Sequence, residues 1–97
     1  MELELHPEAI EEAREARDWY ELRSDNAAVA FVAELDCAVE RISVSPERWT
    51  RYLHGTRRYL MKRYPFAVVY RTLGDRLQIV AVAHGRRRPG YWRRRIK

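Results

Sequence analysis

The spacing of apolar residues changes once along this chain of 97 residues. Before Pro46 most apolar and alanine positions recur every three or four residues, which is typical of amphipathic helices. After residue 56 the chain contains short runs rich in Val, Tyr, Ile and Leu, which favour strands. A chain this short has no room for a second core, so the change in spacing predicts one α+β domain over residues 1–97.

The first half predicts two helices joined by a short connection. Pro7 suits the first turn of one helix, Ser24 can cap the start of the next, and Pro46 follows its end. A connection of two or three residues makes the pair an antiparallel hairpin. The predicted buried faces consist of Ala9, Ala13, Ala16 and Tyr20 in the first helix and of Ala28, Phe31, Leu35, Ala38 and Ile42 in the second.

Strands are predicted at residues 2–5, where polar and apolar side chains alternate, and at residues 57–62, 66–72 and 77–83. The last three are separated by tight reversals and must form an antiparallel meander. The expected order is β-α-α-β-β-β, with the helical hairpin packed on one face of a small antiparallel sheet. Residues 46–56 are expected to form a linker.

The two halves of the chain carry opposite charge. Residues 1–56 contain thirteen acidic and six basic side chains, a net of −7, whereas residues 57–97 contain thirteen basic side chains and one acid, a net of +12. This asymmetry predicts an anionic partner for the second half, either a nucleic acid or an acidic polypeptide.

A basic tail, residues 85–97, ends the chain. Two arginine triplets, 86–88 and 93–95, flank two adjacent aromatic rings. Guanidinium groups match phosphate and carboxylate geometry, and rings can stack on bases. The predicted target-binding residues are therefore Arg86, Arg87, Arg88, Tyr91 and Trp92. The final residues, 93–97, are expected to fray; the alternative is that the whole tail is a solvated charge run.

Few residues suggest chemistry. His84 follows the last predicted strand, where it would either exchange protons near neutral pH or end the strand as a polar residue. His6, His54 and Cys37 lack metal-ligand spacing, and Cys37 is predicted to be a small core residue. We expect no metal and no cofactor.

The aromatic residues of the first half are predicted to be structural. Trp19, Tyr20 and Trp49 are interpreted as core or hinge residues. No glycine-rich phosphate loop, nucleophile elbow or pair of catalytic carboxylates is present in the sequence.

The sequence favours a soluble cytoplasmic protein. Its longest apolar run is well short of the roughly 20 residues that span a bilayer. Glu2 and Glu4 stand where a signal peptide has basic residues, and a single cysteine permits no internal disulfide.

Residues 58–70 and 80–89 together resemble the RelE/ParE superfamily of toxins from type II toxin–antitoxin systems. The resemblance extends to Trp19 and Tyr20 in the first helix and to Phe31 and Leu35 in the second, and it covers nearly the whole chain. It implies the same order of a helical hairpin followed by a meander.

The superfamily implies two alternative activities. RelE-like toxins cleave messenger RNA in the ribosomal A site with basic residues of the sheet, and ParE-like toxins poison DNA gyrase without catalysis. Arg58 stands at the first RelE-like lysine position, but Leu60 and Ala67 replace two further cations. Losing even one aimed charge typically costs about 100- to 1,000-fold in rate, which favours the ParE-like branch. The residues available to a ribonuclease are Arg58, His84, Arg86 and Tyr91.

The resemblance also implies an antitoxin whose acidic segment wraps the toxin in a hetero-oligomer. The residues expected to bind it are Arg58, Lys62, Arg63 and Arg71. DNA gyrase is the expected target, the ribosome with its messenger RNA is the alternative, and a basic nucleic-acid-binding module without toxicity is a third possibility.

Overall fold

The computed structural model describes residues 1–96, so Lys97, the last residue of the predicted tail, lies outside the described residues. Two α-helices, two short 3-10 helices and five strands occur within them. The α-helices are α1 (Pro7–Glu21) and α2 (Asp25–Val44). The strands are β1 (Glu2–Leu5), β2 (Thr50–Arg51), β3 (Arg57–Leu60), β4 (Phe66–Leu73) and β5 (Arg76–His84). The predicted α+β fold is confirmed, with the two-residue strand β2 added inside the segment predicted to be a linker.

The strands form one sheet in the order β1-β5-β4-β3-β2. The meander of β3, β4 and β5 is antiparallel, as predicted. The expectation of a wholly antiparallel sheet is wrong, because β1 pairs with β5 in parallel, with Leu3 opposite Leu77 and Leu5 opposite Ile79. A parallel pair requires a long crossover, and here the helical hairpin and the meander supply it.

Side chains cap both helices at their first turns. His6 precedes Pro7, and its Nδ1 accepts a hydrogen bond of 3.1 Å from the backbone N–H of Glu8. The predicted cap Ser24 accepts one of 2.9 Å at Oγ from the N–H of Ala27. These acceptors satisfy N–H groups that have no partner within a helix, which fixes where each helix begins.

The larger core lies between the helices and the sheet. Phe31 is fully buried, and its ring centroid lies 5.2 Å from those of Tyr20 and Tyr64 and 5.5 Å from that of Phe66. The predicted helix positions Ala9, Ala16, Ala28, Ala38 and Ile42 are buried as well. The apolar spacing of both helices therefore identified the face that packs on the sheet.

Two interpretations of individual residues in the first half are wrong. Cys37 is exposed, because its neighbour Ala38 occupies the inward position of the helical repeat. Trp19 is 50% exposed, and the guanidinium carbon of Arg23 lies 3.2 Å from its ring centroid. The adjacent Tyr20, in contrast, packs against the buried core.

The aromatic residue of the linker does have a structural role. Trp49 packs against the helix-face core, with its ring centroid 4.6 Å from that of Tyr59. Nearby, the Tyr70 hydroxyl donates a 2.6 Å hydrogen bond to the carbonyl of Pro46. Burial raises the pKa of Tyr70 to about 12. These contacts tie the segment after α2 to the sheet.

None of the helices in residues 1–96 is long and apolar enough to cross a membrane.

Candidate functional site

The basic tail covers the second face of the sheet. Trp92 is 1% exposed and packs with Val69, Val80 and Ala81 in a core separate from that under the helices. The pairing of β4 with β5 contains a bulge here: Val69 pairs with Ala81 but Tyr70 pairs with Ile79, which leaves Val80 without an opposite residue. Because the extra residue interrupts the alternation of β5, the consecutive residues Val80 and Ala81 both belong to this core.

Two expectations about the tail are therefore corrected. Trp92 is buried, so it is not available on the surface for stacking on a base. The last turn, Arg93–Ile96, is a short 3-10 helix rather than a frayed end. Ile96 packs against the second core, and its carbonyl accepts a 3.3 Å hydrogen bond from Arg71. Trp92 and Ile96, on either side of the second arginine triplet, therefore anchor this turn on the second core.

One carboxylate connects this tail to the helical hairpin. Glu12 of α1 accepts hydrogen bonds from Arg95 through both terminal nitrogens, at 2.9 and 3.0 Å, and from the hydroxyl of Tyr91. It also accepts one of 3.0 Å from the backbone N–H of Val82 in β5. Sequence reasoning missed Glu12 and Arg95, because no pattern relates residues 83 positions apart.

The pair between Glu12 and Arg95 is largely removed from water, with side chains 11% and 8% exposed. Burial by itself lowers the pKa of Arg95, but the hydrogen bonds and charge of Glu12 outweigh it and the pKa is raised. Burial, together with the bond to Glu12, also raises the pKa of Tyr91. Arg95 stays charged and Tyr91 stays protonated at neutral pH, so all the donors to the carboxylate are retained.

The first arginine triplet is exposed on an ordered loop. The N–H of Gly85 donates a 2.7 Å hydrogen bond to the carbonyl of Pro65, and the N–H of Arg87 donates one of 3.0 Å to the carbonyl of His84. The guanidinium of Arg87 lies 3.8 Å from the ring centroid of Tyr91, a cation–π contact. The loop therefore presents its cations on a fixed backbone.

The ribonuclease candidates divide between two depressions. A small groove of about 150 Å³ between the tail and the sheet is lined by Arg58, His84 and Tyr91. Arg86 instead lines a larger cleft of about 390 Å³ beside α1, which His84 and Tyr91 also border. The small groove is also lined by the apolar side chains Leu60, Ala67 and Ala83 and by the cations Arg87 and Arg88.

The geometry of His84 fixes its tautomer. Its Nδ1 accepts a 3.0 Å hydrogen bond from the N–H of Arg86, and its ring packs edge-on against Phe66 at 5.1 Å between centroids. A neutral imidazole whose Nδ1 accepts must carry its proton on Nε2. The ring therefore has no free lone pair with which to remove a proton from a substrate.

A second basic groove, of about 590 Å³, runs between the end of α2 and the β2–β3 edge. Arg58 and Lys62 line it, together with Arg41 and Arg48, which sequence reasoning did not select. Lys62 and Arg63 border the next depression along α2. Arg71 lies apart, since its Nε donates a 2.7 Å hydrogen bond to Gln78 beneath the tail. Three of the four predicted antitoxin-binding residues thus share one region.

Within residues 1–96 no three His, Cys, Asp or Glu side chains cluster as metal ligands would.

The fold and these surfaces define a small α+β protein with a helical hairpin on one sheet face and a basic tail on the other. A family model described as "ParE toxin of type II toxin-antitoxin system, parDE" matches residues 3–89. The chain belongs to this family, which confirms the resemblance to ParE-like members of the superfamily.

The fold is also similar to that of a solved protein from the "Chromosomal ParDE TA system from P. aeruginosa", with a TM-score of 0.76. The two chains are 22% identical, and the match covers 87% of this chain and 95% of that one. No curated protein matches the sequence.

Proposed function

We propose that this type II toxin arrests growth by poisoning DNA gyrase without catalysing a reaction, and that an antitoxin with an acidic segment neutralises it. Family membership supports the toxin role. The observation that carries the choice of a non-catalytic mechanism is a pair of apolar side chains in the small groove. Leu60, 61% exposed, and Ala67 line this groove and stand at positions where RelE-like toxins carry cations.

Arg58, Arg87 and Arg88 also line the groove, but the other side chains at the family's catalytic positions support this choice. A phosphoryl transition state needs donors aimed at its oxygens, and Leu60 and Ala67 offer none. The guanidinium of Arg58 lies 4.3 Å from the ring centroid of Tyr52, so this cation is engaged in a cation–π contact. His84, with Nδ1 occupied, lacks the lone pair of a general base. Binding through the exposed arginines requires none of these catalytic features.

The first arginine triplet is the proposed contact with the target. Its backbone is held by hydrogen bonds from Gly85 and Arg87, so the side chains lose less entropy on binding than those of a free tail would. Pro89 further restricts Arg88 to extended backbone.

The test compares two sets of arginines. Replacing Arg86, Arg87 and Arg88 with Ala should abolish growth arrest and inhibition of supercoiling by purified gyrase, while the melting temperature stays near that of the wild type. Replacing the exposed pair Arg93 and Arg94 with Ala is the matched control and should reduce inhibition only slightly. If the Arg93 and Arg94 variant lost inhibition and the triple variant kept it, the contact with the target would lie in the last turn instead. A wild-type protein that leaves gyrase unaffected would refute the proposed target.

One observation favours the ribonuclease alternative: Arg58, His84 and Tyr91 line the same groove. Codon-specific cleavage of messenger RNA on purified ribosomes would establish that activity, and His84→Ala should then abolish it. A basic module without toxicity would instead bind nucleic acid with an affinity that falls steeply with salt, through counterion release.

The proposed antitoxin site is the basic groove beside α2. Arg41, Arg48, Arg58 and Lys62 face one acid there, Glu40. An acidic segment would be steered to this groove by its charge, and polar contacts along it would set the register.

Charge reversal tests this site. Arg48→Glu combined with Lys62→Glu should weaken binding of the acidic antitoxin and make neutralisation fail, while toxicity is retained. Arg14→Glu on α1, at an exposed position that does not line this groove, is the control and should leave antitoxin binding nearly unchanged. If the wild type, the charge-reversal variant and the control variant all bind the antitoxin equally, the antitoxin binds elsewhere.

A further inference from the structure

The contacts of Glu12 extend beyond the ion pair with Arg95. Its carboxylate also accepts from the hydroxyl of Tyr91, which ties the end of that ring to α1. The guanidinium of Arg87 lies 3.8 Å from the centroid of the same ring. A continuous series of contacts therefore runs from α1 through one aromatic ring to an exposed cation in the loop that we assign to target binding.

The surroundings make Glu12 hard to replace. Arg95 also donates a 3.1 Å hydrogen bond to the carbonyl of Val80, which keeps the guanidinium inside the fold. The other acid near it, Glu8, is 3.7 Å from Nε and has a side chain 65% exposed. Without the Glu12 charge the buried guanidinium would lack a close, desolvated anion, a state that typically costs several kcal/mol.

We propose that Glu12 is a positioning residue for target binding: it orients Tyr91, and through the ring of Tyr91 it sets the position of Arg87. This inference rests on the proposed function. Glu12 borders the cleft beside α1, but its side chain is 11% exposed and its carboxylate is occupied by Arg95, Tyr91 and the N–H of Val82, so we assign it a role through these partners. A long basic side chain has many rotamers. Contact with the ring of Tyr91, which Glu12 holds through its hydroxyl, restricts Arg87 before binding and so reduces the entropy that Arg87 loses on binding.

A purely structural role for Glu12 would give a different result. If Glu12 only stabilised the fold, its replacement would lower the melting temperature, and the protein that remained folded would inhibit its target normally. If Glu12 positions Arg87, folded protein must also lose potency. Potency is therefore measured well below the melting temperature of each variant, with the folded fraction checked by circular dichroism.

The first experiment compares Glu12→Gln with Glu11→Gln. Both changes remove one negative charge from the same helix, but Glu11 forms an exposed pair with Arg14 at 3.2 Å. We expect the concentration of protein needed to inhibit gyrase to rise about tenfold or more for Glu12→Gln, a loss of about 1.4 kcal/mol. It should stay within about twofold of the wild-type value for Glu11→Gln. Equal potency of the two variants would overturn the proposal.

The second experiment asks whether the effect passes through Arg87. In the background Arg87→Ala, adding Glu12→Gln should reduce potency by no more than about twofold, because the side chain that Glu12 positions is already absent. Tyr91→Phe, which keeps the ring but removes the donor to Glu12, should reproduce part of the loss. A loss that is the same size with and without Arg87 would leave Glu12 with a structural role only, and the proposal would be wrong.

A readout independent of gyrase separates this inference from the proposed function. Limited cleavage by trypsin after Arg87 should accelerate about a hundredfold in Glu12→Gln, as expected when one partner of a buried ion pair is removed, and hardly at all in Glu11→Gln. Cleavage within α2 is followed in the same digests and should stay near the wild-type rate, because unfolding of the whole domain would accelerate both. If wild-type protein does not inhibit gyrase, the proposed function fails, and this cleavage still decides whether Glu12 holds the loop. Equal cleavage rates in the two variants would refute the positioning role.

Discussion

The two faces of the sheet are covered by different kinds of contact. On the helix face four rings, those of Tyr20, Phe31, Tyr64 and Phe66, meet at centroid distances of 5.2–5.5 Å within a broad apolar layer. On the tail face a small core around Trp92 is held down by directed bonds to one carboxylate. Apolar burial is non-directional and tolerates small shifts, whereas a buried ion pair fails as a unit when one partner is lost.

This difference predicts different ways of opening. The helix-face core joins both helices to the sheet, so its loss unfolds the whole domain. The tail is joined only through its own contacts and can detach while the rest stays folded. Substitutions in the tail face, which carries the proposed target-binding arginines, should therefore change that face without unfolding the rest of the domain.

The largest effect should come from the helix face. Phe31→Ala removes a fully buried ring from the centre of the aromatic cluster and should lower the free energy of unfolding by about 4 kcal/mol. Chemical denaturation monitored by circular dichroism measures this loss. Val29→Ala, at a position of the same helix that is 69% exposed, serves as the control and should change stability by less than about 0.5 kcal/mol.

Trp92→Ala should cost somewhat less, about 3 kcal/mol, although tryptophan is the larger side chain. The reason is that the loss cannot exceed the free energy that docks the tail, because the tail can detach instead. Hydrogen exchange should show faster exchange in the tail and near-normal protection in β4. If protection from hydrogen exchange were lost equally in the tail and across the sheet, the two faces would unfold together. The predicted difference between local and global opening would then be wrong.

A smaller loss is expected at high pH. Burial raises the pKa of Tyr70 on the helix face to about 12 and raises that of Tyr91 on the tail face. A folded-state pKa above the unfolded value of about 10 means that the stabilisation is complete below pH 10 and is lost as the pH rises towards 12. Melting temperatures between pH 8 and 12 should fall in the wild type. The fall should be shallower in Tyr70→Phe, and an identical slope would contradict the assignment.

The smallest effect concerns the helical hairpin alone. Ser24→Ala removes the cap of α2 and should cost about 1 kcal/mol, whereas Ser24→Asp should retain most of the stability. Trypsin cleavage of the tail should be unaffected by either change. Faster cleavage in Ser24→Ala would mean that the hairpin and the tail are coupled more widely than through Glu12.

Most of the fold was predictable because it depends on local patterns. The limits of both helices follow from Pro7, Ser24 and Pro46, and the meander follows from three apolar runs with short reversals. The parallel pairing of β1 was not predictable from alternation, which identifies a strand but not its direction. The two residues of β2 are too few to give a pattern.

The site was predictable only in part. Charge asymmetry and the arginine triplets located a basic tail but did not predict that its last turn is ordered. The residues that hold the tail in place, Glu12 and Arg95, looked like ordinary surface charges. Trp92 likewise gave no sign of burial, since a single ring within a charge run has no periodicity. Pairings between residues at opposite ends of a chain have no signature in local sequence.

The sequence by itself therefore determined both α-helices and the four longer strands, the helix face that becomes buried and the sign of the charge on each half, because these depend on spacing and composition. Tertiary structure decided which charges remain in water. It enclosed Arg95 against Glu12, exposed Arg87 on the ring of Tyr91, and placed Leu60 and Ala67 in the lining of the small groove. The physical reason is that the cost of a charge depends on its partners and its access to water, and both are set only when distant segments meet.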